Sequence, residues 1–200
     1  LTGRGVIWKT SRIPSINGDQ CRNQKQEANL NTDNSRKING IVFRNPTAED
    51  GKSLWEITKA SGTLDLNSVY HYLIMCRHFG KTSIVAQKQG QVVGFVTAYI
   101  PPPSPDTIFV WQVAVDAKER GQGLGVHLLT TVFQNAKAFG VQHLDATITP
   151  SNQASIRLFT AAARALEAPF VFEDEFFLAA DFGQNVHEAE MLFHIGPISG

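Results

Sequence analysis

The stretch VWQVAVDAKERGQGLGVHLL, residues 110–129, joins an apolar run to three glycines at alternate positions, Gly121, Gly123 and Gly125. The apolar run is typical of a buried strand and the segment after the glycines of a helix, so the glycines lie in a strand-to-helix loop. Backbone N–H groups at the start of a helix bind anions, and glycine lets the backbone approach a ligand closely. The stretch therefore predicts either a phosphate-binding loop or a plain turn that needs glycine.

The spacing of the glycines argues against two familiar nucleotide-binding loops. A dinucleotide fingerprint needs Gly-x-Gly-x-x-Gly, and Val126 stands where the third glycine would be. A Walker loop needs Gly-Lys followed by Ser or Thr, which this loop lacks. What remains is Arg120-x-x-Gly123-x-Gly125, in which Arg120 adds a charged donor. The loop supports neither a nicotinamide cofactor nor ATP.

Composition narrows the class of protein. The 200 residues suit one domain, and 42% are hydrophobic and 10% aromatic, as in a globular protein with a core. Lys plus Arg and Asp plus Glu both total 18, so net charge favours neither nucleic acid nor an anionic membrane as a partner.

No apolar run approaches the roughly 20 residues of a membrane span and no secretory signal is visible, so we expect a cytoplasmic protein. Cys21 and Cys76 have no disulfide or zinc-site spacing, and we expect no metal.

The C-terminal part of the chain is acidic. After Arg164 there is no Lys or Arg, whereas the carboxylates are Glu167, Glu173, Asp174, Glu175, Asp181, Glu188 and Glu190. A solvated sheet edge accounts for them, and so does a site for a cationic substrate, because carboxylates attract ammonium groups. Both interpretations stay open.

Periodicity and turn residues predict an alternating order of elements. Residues 1–39 are polar and without period, and we interpret them as a mobile tail ahead of one domain at 40–200. A strand at Ile41 to Arg44 opens this domain, and two helices follow, the first after Thr47 and the second capped by Asn67 or Ser68. The order continues with a hairpin about KQGQ, a strand at 107–115, a helix at 124–139, a strand in VQHLDATIT, a helix in PSNQASIRLFTAAARAL and two closing strands.

The block VAVDAKERGQGLGVHLL resembles the acetyl-coenzyme A signature of the GNAT acetyltransferases, Arg/Gln-x-x-Gly-x-Gly/Ala after the fourth strand. The predicted order β-α-α-β-β-β-α-β-α-β-β is also similar to that fold. The resemblance implies an α/β protein of the α+β type, with a mixed, mostly antiparallel sheet flanked by helices. It further implies that the fourth and fifth predicted strands splay apart and that the pantetheine arm of the coenzyme lies between them.

The same resemblance implies which residues hold acetyl-coenzyme A, the expected co-substrate. The loop amides would hold the pyrophosphate, Val113 and Val115 would pair with the pantetheine arm, and the amide of Val113 or Ala114 would hold the thioester carbonyl. Asn152, in TPSNQAS, matches the asparagine that contacts the arm. The expected set is Val113, Ala114, Val115, Arg120, Gly121, Gln122, Gly123, Leu124, Gly125, Val126, Asn152 and Ser155.

One residue departs from the family pattern. Members of the family often carry a tyrosine on the following helix that protonates the leaving thiolate, and this sequence has Phe159 there. Phenylalanine donates no proton. The acid must come from elsewhere or the thiolate leaves without one, which a thiol pKa of about 8.5 makes tolerable.

Four segments resemble the diaminobutyrate acetyltransferases of ectoine synthesis within this family: LDLNSVYHYL, WQVAVDAKERGQGL, TITPSNQAS and HEAEMLFHIGP. The match runs from about Ile41 to Ile198. It implies transfer of acetyl to the γ-amino group of L-2,4-diaminobutyrate by a homodimer. Glu188 stands where the resemblance leads us to expect Asp.

These segments hold residues that suit a substrate with two ammonium groups and one carboxylate. Trp111 lies beside the expected acetyl carbonyl, where an indole closes a pocket or faces a cation, and this explains the unusual pair Trp111 and Gln112 in an apolar run. The expected substrate site is Asp65, Tyr70, Trp111, Thr147, Thr149, His187 and Glu190, with Asp65, Tyr70 and Glu190 as candidate catalytic groups. Each also has a plain alternative: a cap or turn for Asp65, core packing for Tyr70 and Trp111, strand formation for the threonines, and surface exposure for His187 and Glu190.

The chemistry requires a proton acceptor. An alkylammonium group has a pKa of about 10 and only its neutral form attacks a thioester, so the site takes a proton directly or through water. A carboxylate such as Glu190 or Asp65 would relay it or would simply fix the amine. We expect direct attack without an acyl-enzyme, since Cys76 lies on an apolar helical face.

Two other functions remain open from sequence. A GNAT enzyme that acetylates another small polyamine or a lysine side chain would also use the acidic section. A domain that binds acyl-coenzyme A only as a sensor would tolerate Phe159.

Overall fold

The computed structural model of the 200-residue chain describes residues 36–38, 40–183 and 187–198, with the backbone alone at 36–38, 173 and 174. The strands in this part are β1 (Arg36–Ile38), β2 (Ile41–Arg44), β3 (Ile84–Lys88), β4 (Gln91–Tyr99), β5 (Thr107–Val115), β6 (His143–Ile148), β7 (Phe170–Phe177) and β8 (Glu190–Ile195). The α-helices are α1 (Gly51–Ser61), α2 (Val69–His78), α3 (Leu124–Ala136) and α4 (Gln153–Ala165).

Turn and cap residues set the ends of these elements. Gln89 and Gly90 both have positive φ, 50° and 82°, as in the tight turns that join hairpin strands, so β3 returns directly as β4. The Ser68 side chain accepts a hydrogen bond from the His71 N–H and caps α2. The proline-rich segment 101–106 ends β4, because proline cannot continue a strand ladder.

All the strands of the described residues form one sheet in the order β1-β2-β3-β4-β5-β6-β8-β7. Neighbouring strands are antiparallel except β5 and β6, which run parallel. The parallel pairing joins only Thr107–Phe109 to His143–Asp145. Beyond Phe109 the two strands separate, and the gap between them positions the site described below.

Helices cover both faces of the sheet. Adjacent residues of β3 and β4 alternate between two apolar cores, with Ile84 and Val96 in one and Val85 and Phe95 in the other. Helices α3 and α4 contribute Leu128, Leu129, Val132, Phe133, Phe159 and Ala162 to the first core. Helices α1 and α2 contribute Leu54, Ile57, Tyr72 and Cys76 to the second. We call the side of the sheet that faces the second core the α2 face.

An ion pair ties the start of α1 to the sheet. Arg44, at the end of β2, donates two hydrogen bonds of 2.8 Å to the carboxylate of Asp50. Burial raises the pKa of Asp50, but the hydrogen bonds from Arg44 and the Thr47 N–H outweigh burial and hold the pKa below its ordinary value. Asp50 is therefore charged at neutral pH and fixes the segment that leads into α1.

The structure confirms the predicted fold class and order of elements, with one addition. Strand β1 lies inside the segment 1–39 that was predicted as a mobile tail, and it pairs with β2. Residues 1–35 of the predicted tail lie outside the described residues. Among the helices described, none is long and apolar enough to cross a membrane.

Candidate active site

The gap between β5 and β6 leaves one edge of β5 without a strand partner. The Asp116 N–H donates to the Val93 carbonyl at 2.9 Å, so Ala114, two residues earlier, also turns its backbone groups toward β4. Val113 and Val115 therefore turn theirs into the gap. Of the two amides predicted to hold the acetyl carbonyl, that of Val113 faces the gap, whereas that of Ala114 is directed toward β4.

The loop after β5 has its three glycines for two different reasons. Gly121 and Gly123 have φ of 77° and 75°, a left-handed conformation that glycine adopts at little cost. Gly125 lies in the first turn of α3, where an added Cβ would come within 2.9 Å of Leu158 Cδ1, so it allows α3 and α4 to pack closely. The amides of Leu124, Gly125 and Val126 begin α3 and have no carbonyl one turn earlier to bond. These amides form a site that suits an anion.

Arg120 and Gln122 are both exposed beside this turn. The Arg120 Nε donates to the Val115 carbonyl at 3.0 Å, which folds the side chain back over the end of β5. This contact uses Nε, while the guanidinium still carries two terminal amino groups for an anion. It also occupies the Val115 carbonyl, so the Val115 N–H is the group still open to the gap.

The start of α4 faces the same gap from the β6 side. Asn152 caps this helix, since its Oδ1 accepts a hydrogen bond of 3.1 Å from the Ser155 N–H. The cap uses the acceptor atom of the amide, whereas the Nδ2 donor makes no hydrogen bond within the described residues. Phe159 is only 3% exposed, and its ring packs 5.7 Å from that of Phe193. The position that holds an acid in many GNAT enzymes is thus an apolar core position here.

A bulge in β5 explains the neighbours Trp111 and Gln112. The register slips between Thr97–Gln112 and Ala98–Val110, so Trp111 is the extra residue. The slip places two consecutive side chains on the α2 face. Gln112 is 7% exposed and accepts a hydrogen bond from the Tyr72 hydroxyl at 3.1 Å, whereas Trp111 is 47% exposed and lies 5.7 Å from the ring of His71. Of the two residues, Trp111 is therefore the one that is exposed, and its place in a reaction cleft stays a prediction.

The loop between α1 and α2 lies over this bulge. The Gln112 Nε2 donates to the Asp65 carbonyl at 2.8 Å and so holds the loop against β5. The Asp65 side chain is exposed, and Tyr70, in the first turn of α2, is 70% exposed. Core packing of Tyr70 is therefore excluded, and a cap by Asp65 is not needed because Ser68 caps α2.

Strands β6 and β8 place three more predicted residues on the α2 face. Asp145 is opposite Phe109 of β5, so its side chain shares the face of Phe109, and Thr147 and Thr149 follow at the next alternate positions. Thr147 pairs with Leu192, and the same register sets Thr149 across from Glu190. The Glu190 side chain is 18% exposed, and one of its oxygens lies 3.9 Å from His187 Nε2.

His187 is held between a ring and a carbonyl. Its imidazole stacks on Phe182 with 4.0 Å between the ring centroids, and Nδ1 lies 2.6 Å from the Glu188 carbonyl. Because a carbonyl only accepts, Nδ1 carries the hydrogen and Nε2 is the atom directed to Glu190. Glu188 itself turns away and bonds the hydroxyl and the N–H of Ser151. The acidic section therefore contributes Glu190, and not Glu188, to the α2 face.

Cys76 lies in the second core and is 3% exposed. Burial raises the pKa of its thiol to about 12. The thiol is consequently protonated at neutral pH and enclosed, which makes it a poor nucleophile.

Sequence reasoning missed several polar residues on the α2 face. His194 Nδ1 lies 2.6 Å from Asp145 Oδ1, and the ring of His143 stacks on that of His194 at 4.9 Å. Burial raises the pKa of Asp145, and the hydrogen bond with His194 opposes that rise. The alternation of polar residues in HLDATI is the signal that could have found Asp145 beside Thr147. His71, also missed, is buried at Nε2 without a partner in the described residues, and burial lowers its pKa.

Comparison with known proteins adds to this geometry. Residues 52–163 match the family described as Acetyltransferase (GNAT) family. The chain is 46% identical over 168 residues to the L-2,4-diaminobutyric acid acetyltransferase of Marinococcus halophilus. This alignment covers 84% of this chain and 96% of the relative. It is 43% identical over 153 residues to the enzyme of the same description from Virgibacillus pantothenticus, and this alignment covers 76% of this chain and 96% of the relative.

A solved structure has the same fold. The diaminobutyrate acetyltransferase of Paenibacillus lautus, in complex with its substrate L-2,4-diaminobutyric acid and coenzyme A, superposes with a TM-score of 0.74 at 38% identity. The match covers 80% of this chain and 96% of that chain. On these matches the chain belongs to the GNAT acetyltransferases and, within them, to the family of L-2,4-diaminobutyric acid acetyltransferases.

Proposed function

We propose that this chain transfers the acetyl group of acetyl-coenzyme A to the γ-amino group of L-2,4-diaminobutyrate, a step of ectoine synthesis in the cytoplasm. The observation that carries the proposal is the position of the β5 bulge. On one side of it the open backbone of Val113 leads to the glycine loop, and on the other side Trp111 opens onto a face that holds Asp65 and Glu190. Acyl donor and diamine would meet at Trp111.

The donor side of the proposed site consists mostly of backbone groups. The pantetheine arm would lie along the β5 edge and bond the backbone of Val113 and the Val115 N–H, while Asn152 Nδ2 would donate to it from the other side of the gap. The pyrophosphate would lie at the start of α3, against the amides of residues 121–126, with the terminal nitrogens of Arg120 beside it. The Ser155 N–H is already used by the Asn152 cap, which leaves the Ser155 hydroxyl as its contribution.

The acceptor side matches a diamine in charge. Asp65 and Glu190 supply a carboxylate for each of the two ammonium groups, and they approach from opposite sides, one from the α1–α2 loop and the other from β8. Tyr70, Thr147 and Thr149 add hydroxyl groups that can bond an amine or a carboxylate. The exposed indole of Trp111 closes the space between them and offers its face to a cation.

The reaction proposed on this site is a direct attack. The neutral γ-nitrogen forms a bond to the thioester carbon, the Val113 N–H stabilises the negative charge on the carbonyl oxygen, and the carbon–sulfur bond then breaks. The thiolate leaves without help from Phe159, whose ring is buried and has no proton to give. An acyl-enzyme on Cys76 is not part of the pathway, because its thiol is buried with a pKa raised to about 12.

The function is tested by thiol release from acetyl-coenzyme A with a panel of amines. We expect L-2,4-diaminobutyrate to give a higher kcat/KM than ornithine, lysine, putrescine or a lysine peptide, with NMR of the product placing the acetyl group on the γ-nitrogen. A stronger response to another amine would assign the enzyme to that substrate. Binding of the coenzyme without turnover of any amine would favour a sensor.

Replacement of Glu190 tests the acceptor side. Glu190→Gln removes a charge but keeps the shape, and a hydrogen bond to a charged group is worth roughly 1.5–3 kcal/mol, so we expect kcat/KM for diaminobutyrate to fall about 10- to 100-fold. The KM for acetyl-coenzyme A should hardly change. The matched control is Glu167→Gln, which removes a charge from the same acidic section at an exposed position after α4. Equal kinetics of the two variants would count against the role of Glu190.

The Gln112 contacts predict that stability and substrate binding are linked. Gln112→Met leaves the buried Tyr72 hydroxyl and the Asp65 carbonyl without partners, which should lower the free energy of unfolding by about 1–3 kcal/mol. Because the loop that carries Asp65 is released, the KM for diaminobutyrate should rise while that for acetyl-coenzyme A stays the same. Tyr72→Phe, the control, breaks one bond but keeps the loop contact, so it should lose stability without a comparable rise in KM.

The proposal includes a homodimer, supported by the exposed face and edge of β7. Strand β7 ends the sheet order, and in the described part of the chain its outer edge has no strand partner. Large apolar side chains on and just after it are exposed: Phe170, Val171, Phe176, Phe177 and Leu178. A second copy of the chain would cover this apolar patch and shield the edge from unwanted pairing.

A charge placed in this patch should separate the protomers. Phe176→Lys should convert a dimer, measured by light scattering, to a monomer, since a lysine loses its hydration when buried. Phe139→Lys changes a similarly exposed phenylalanine in the turn that follows α3 and should leave the dimer intact. A monomeric wild type, or a dimeric Phe176→Lys variant, would contradict this interface.

A further inference from the structure

The gap between β5 and β6 ends beside the carboxylate of Asp145. Phe109 and Asp145 form the last pair that joins the two strands, so Asp145 marks the inner end of the gap. Its side chain points to the α2 face, the face of Thr147 and Trp111. His194 stands directly across from it on β8, with Nδ1 2.6 Å from Asp145 Oδ1.

The surroundings of this pair are apolar on one side and open on the other. Phe109 lies opposite Asp145, the ring of Tyr99 is 5.4 Å from that of Phe109, and His143 stacks on His194. His143 and Asp106 also act electrostatically on Asp145, and Val171 of β7 lies across from His194. The side chains of Asp145 and His194 are 20% and 29% exposed, so substrate or water can reach them.

Glu190 belongs to a different part of the face. It is four residues from His194 along β8, which at a rise of about 3.3 Å per residue is roughly 13 Å. Leu192 lies between them on the same face. The pair is therefore a second polar group on this face, at the inner end of the gap rather than at its mouth.

We propose that His194, oriented by Asp145, accepts the proton that the γ-ammonium group of the substrate loses before it attacks the thioester. The inference rests on the proposed function. Asp145 accepts the Nδ1 hydrogen of the imidazole, which leaves the Nε2 lone pair as the proton acceptor and fixes the plane of the ring. Asp145 is thus a positioning residue, and His194 is the group that meets the substrate, directly or through one water.

An imidazole suits this task better than the carboxylates of the site. Carboxylates in general titrate near pH 4 and imidazoles near pH 6.5, so an imidazole is on the order of 100-fold stronger as a proton acceptor. The other imidazoles of this face are less available. His71 has a buried Nε2 and His143 a buried Nδ1, while His187 uses Nδ1 on a carbonyl and directs Nε2 to Glu190.

The protons balance over the full reaction. The ammonium group gives its first proton to His194 Nε2, and the free nitrogen then forms the carbon–nitrogen bond. The nitrogen of the tetrahedral intermediate loses a second proton as the carbon–sulfur bond breaks and the thiolate departs. One of the two protons ends on the coenzyme thiol, and the other passes from the imidazolium to solvent.

The test compares two nucleophiles in the full-length protein. His194→Gln is assayed with diaminobutyrate and with an analogue whose terminal amine is replaced by an aminooxy group, which is neutral at pH 7. A lost general base costs about 10²- to 10⁴-fold, so kcat with diaminobutyrate should fall by that factor at pH 7 and recover as pH rises and the amine loses its own proton. With the aminooxy substrate the variant should be close to wild type.

Two variants separate a role in proton transfer from a role in structure. Asp145→Asn should show the same selective loss to a smaller degree. If thermal unfolding shows that His194→Gln is not folded, the kinetics of Asp145→Asn test the proton-transfer role instead. His187→Gln should raise the KM for both nucleophiles equally and leave the pH profile unchanged.

Two results would overturn the inference. Equal losses with both nucleophiles, in His194→Gln or in Asp145→Asn, would make the pair structural. If wild type itself failed to acetylate diaminobutyrate, the proposed function would fail and the inference with it. Wild-type turnover therefore tells the two failures apart.

Discussion

The incomplete pairing of β5 with β6 is the constraint on which the site depends. Buried backbone N–H and C=O groups are costly without partners, and beyond Phe109 the β6 side of β5 supplies none. Arg120 satisfies the Val115 carbonyl, and the Val113 backbone still faces the gap. An extended ligand with amide groups would complete this edge as a strand would. Binding of the coenzyme would therefore extend the sheet at this edge, as an added strand does.

The bulge at Trp111 lies at the centre of the proposed reaction site. One extra residue turns two consecutive side chains to the α2 face, and the two then act differently. Gln112 is buried and bonds Tyr72 and the Asp65 carbonyl, so the α1–α2 loop is fixed to the strand along which we propose that the acyl donor binds. Trp111 stays open beside that loop. In the proposed site, the groups that bind the donor and those that bind the acceptor are thus anchored to the same few residues of β5, which would limit their displacement relative to one another.

The carboxylates of the α2 face lie at different positions along the gap. Asp65 and Glu190 lie where the face opens, whereas Asp145 lies at the inner end of the gap, bonded to His194. Carboxylates attract ammonium groups, while a carboxylate beside an imidazole can set the orientation of its ring. In the proposed mechanism, the residues that bind the cation are therefore different from the residue that takes its proton.

The sequence by itself determined the order of the elements from Ile41 onward, the loop of Gly121, Gly123 and Gly125, and the lack of an acid at Phe159, because turn chemistry, periodicity and residue type are local properties. It also pointed to Trp111. It left open whether Val113 or Ala114 serves the gap, and it missed Gln112 as a link, the His194–Asp145 pair and strand β1. Only the tertiary structure decided these, because strand register, a bulge and contacts across 40 or more residues depend on which distant segments pair.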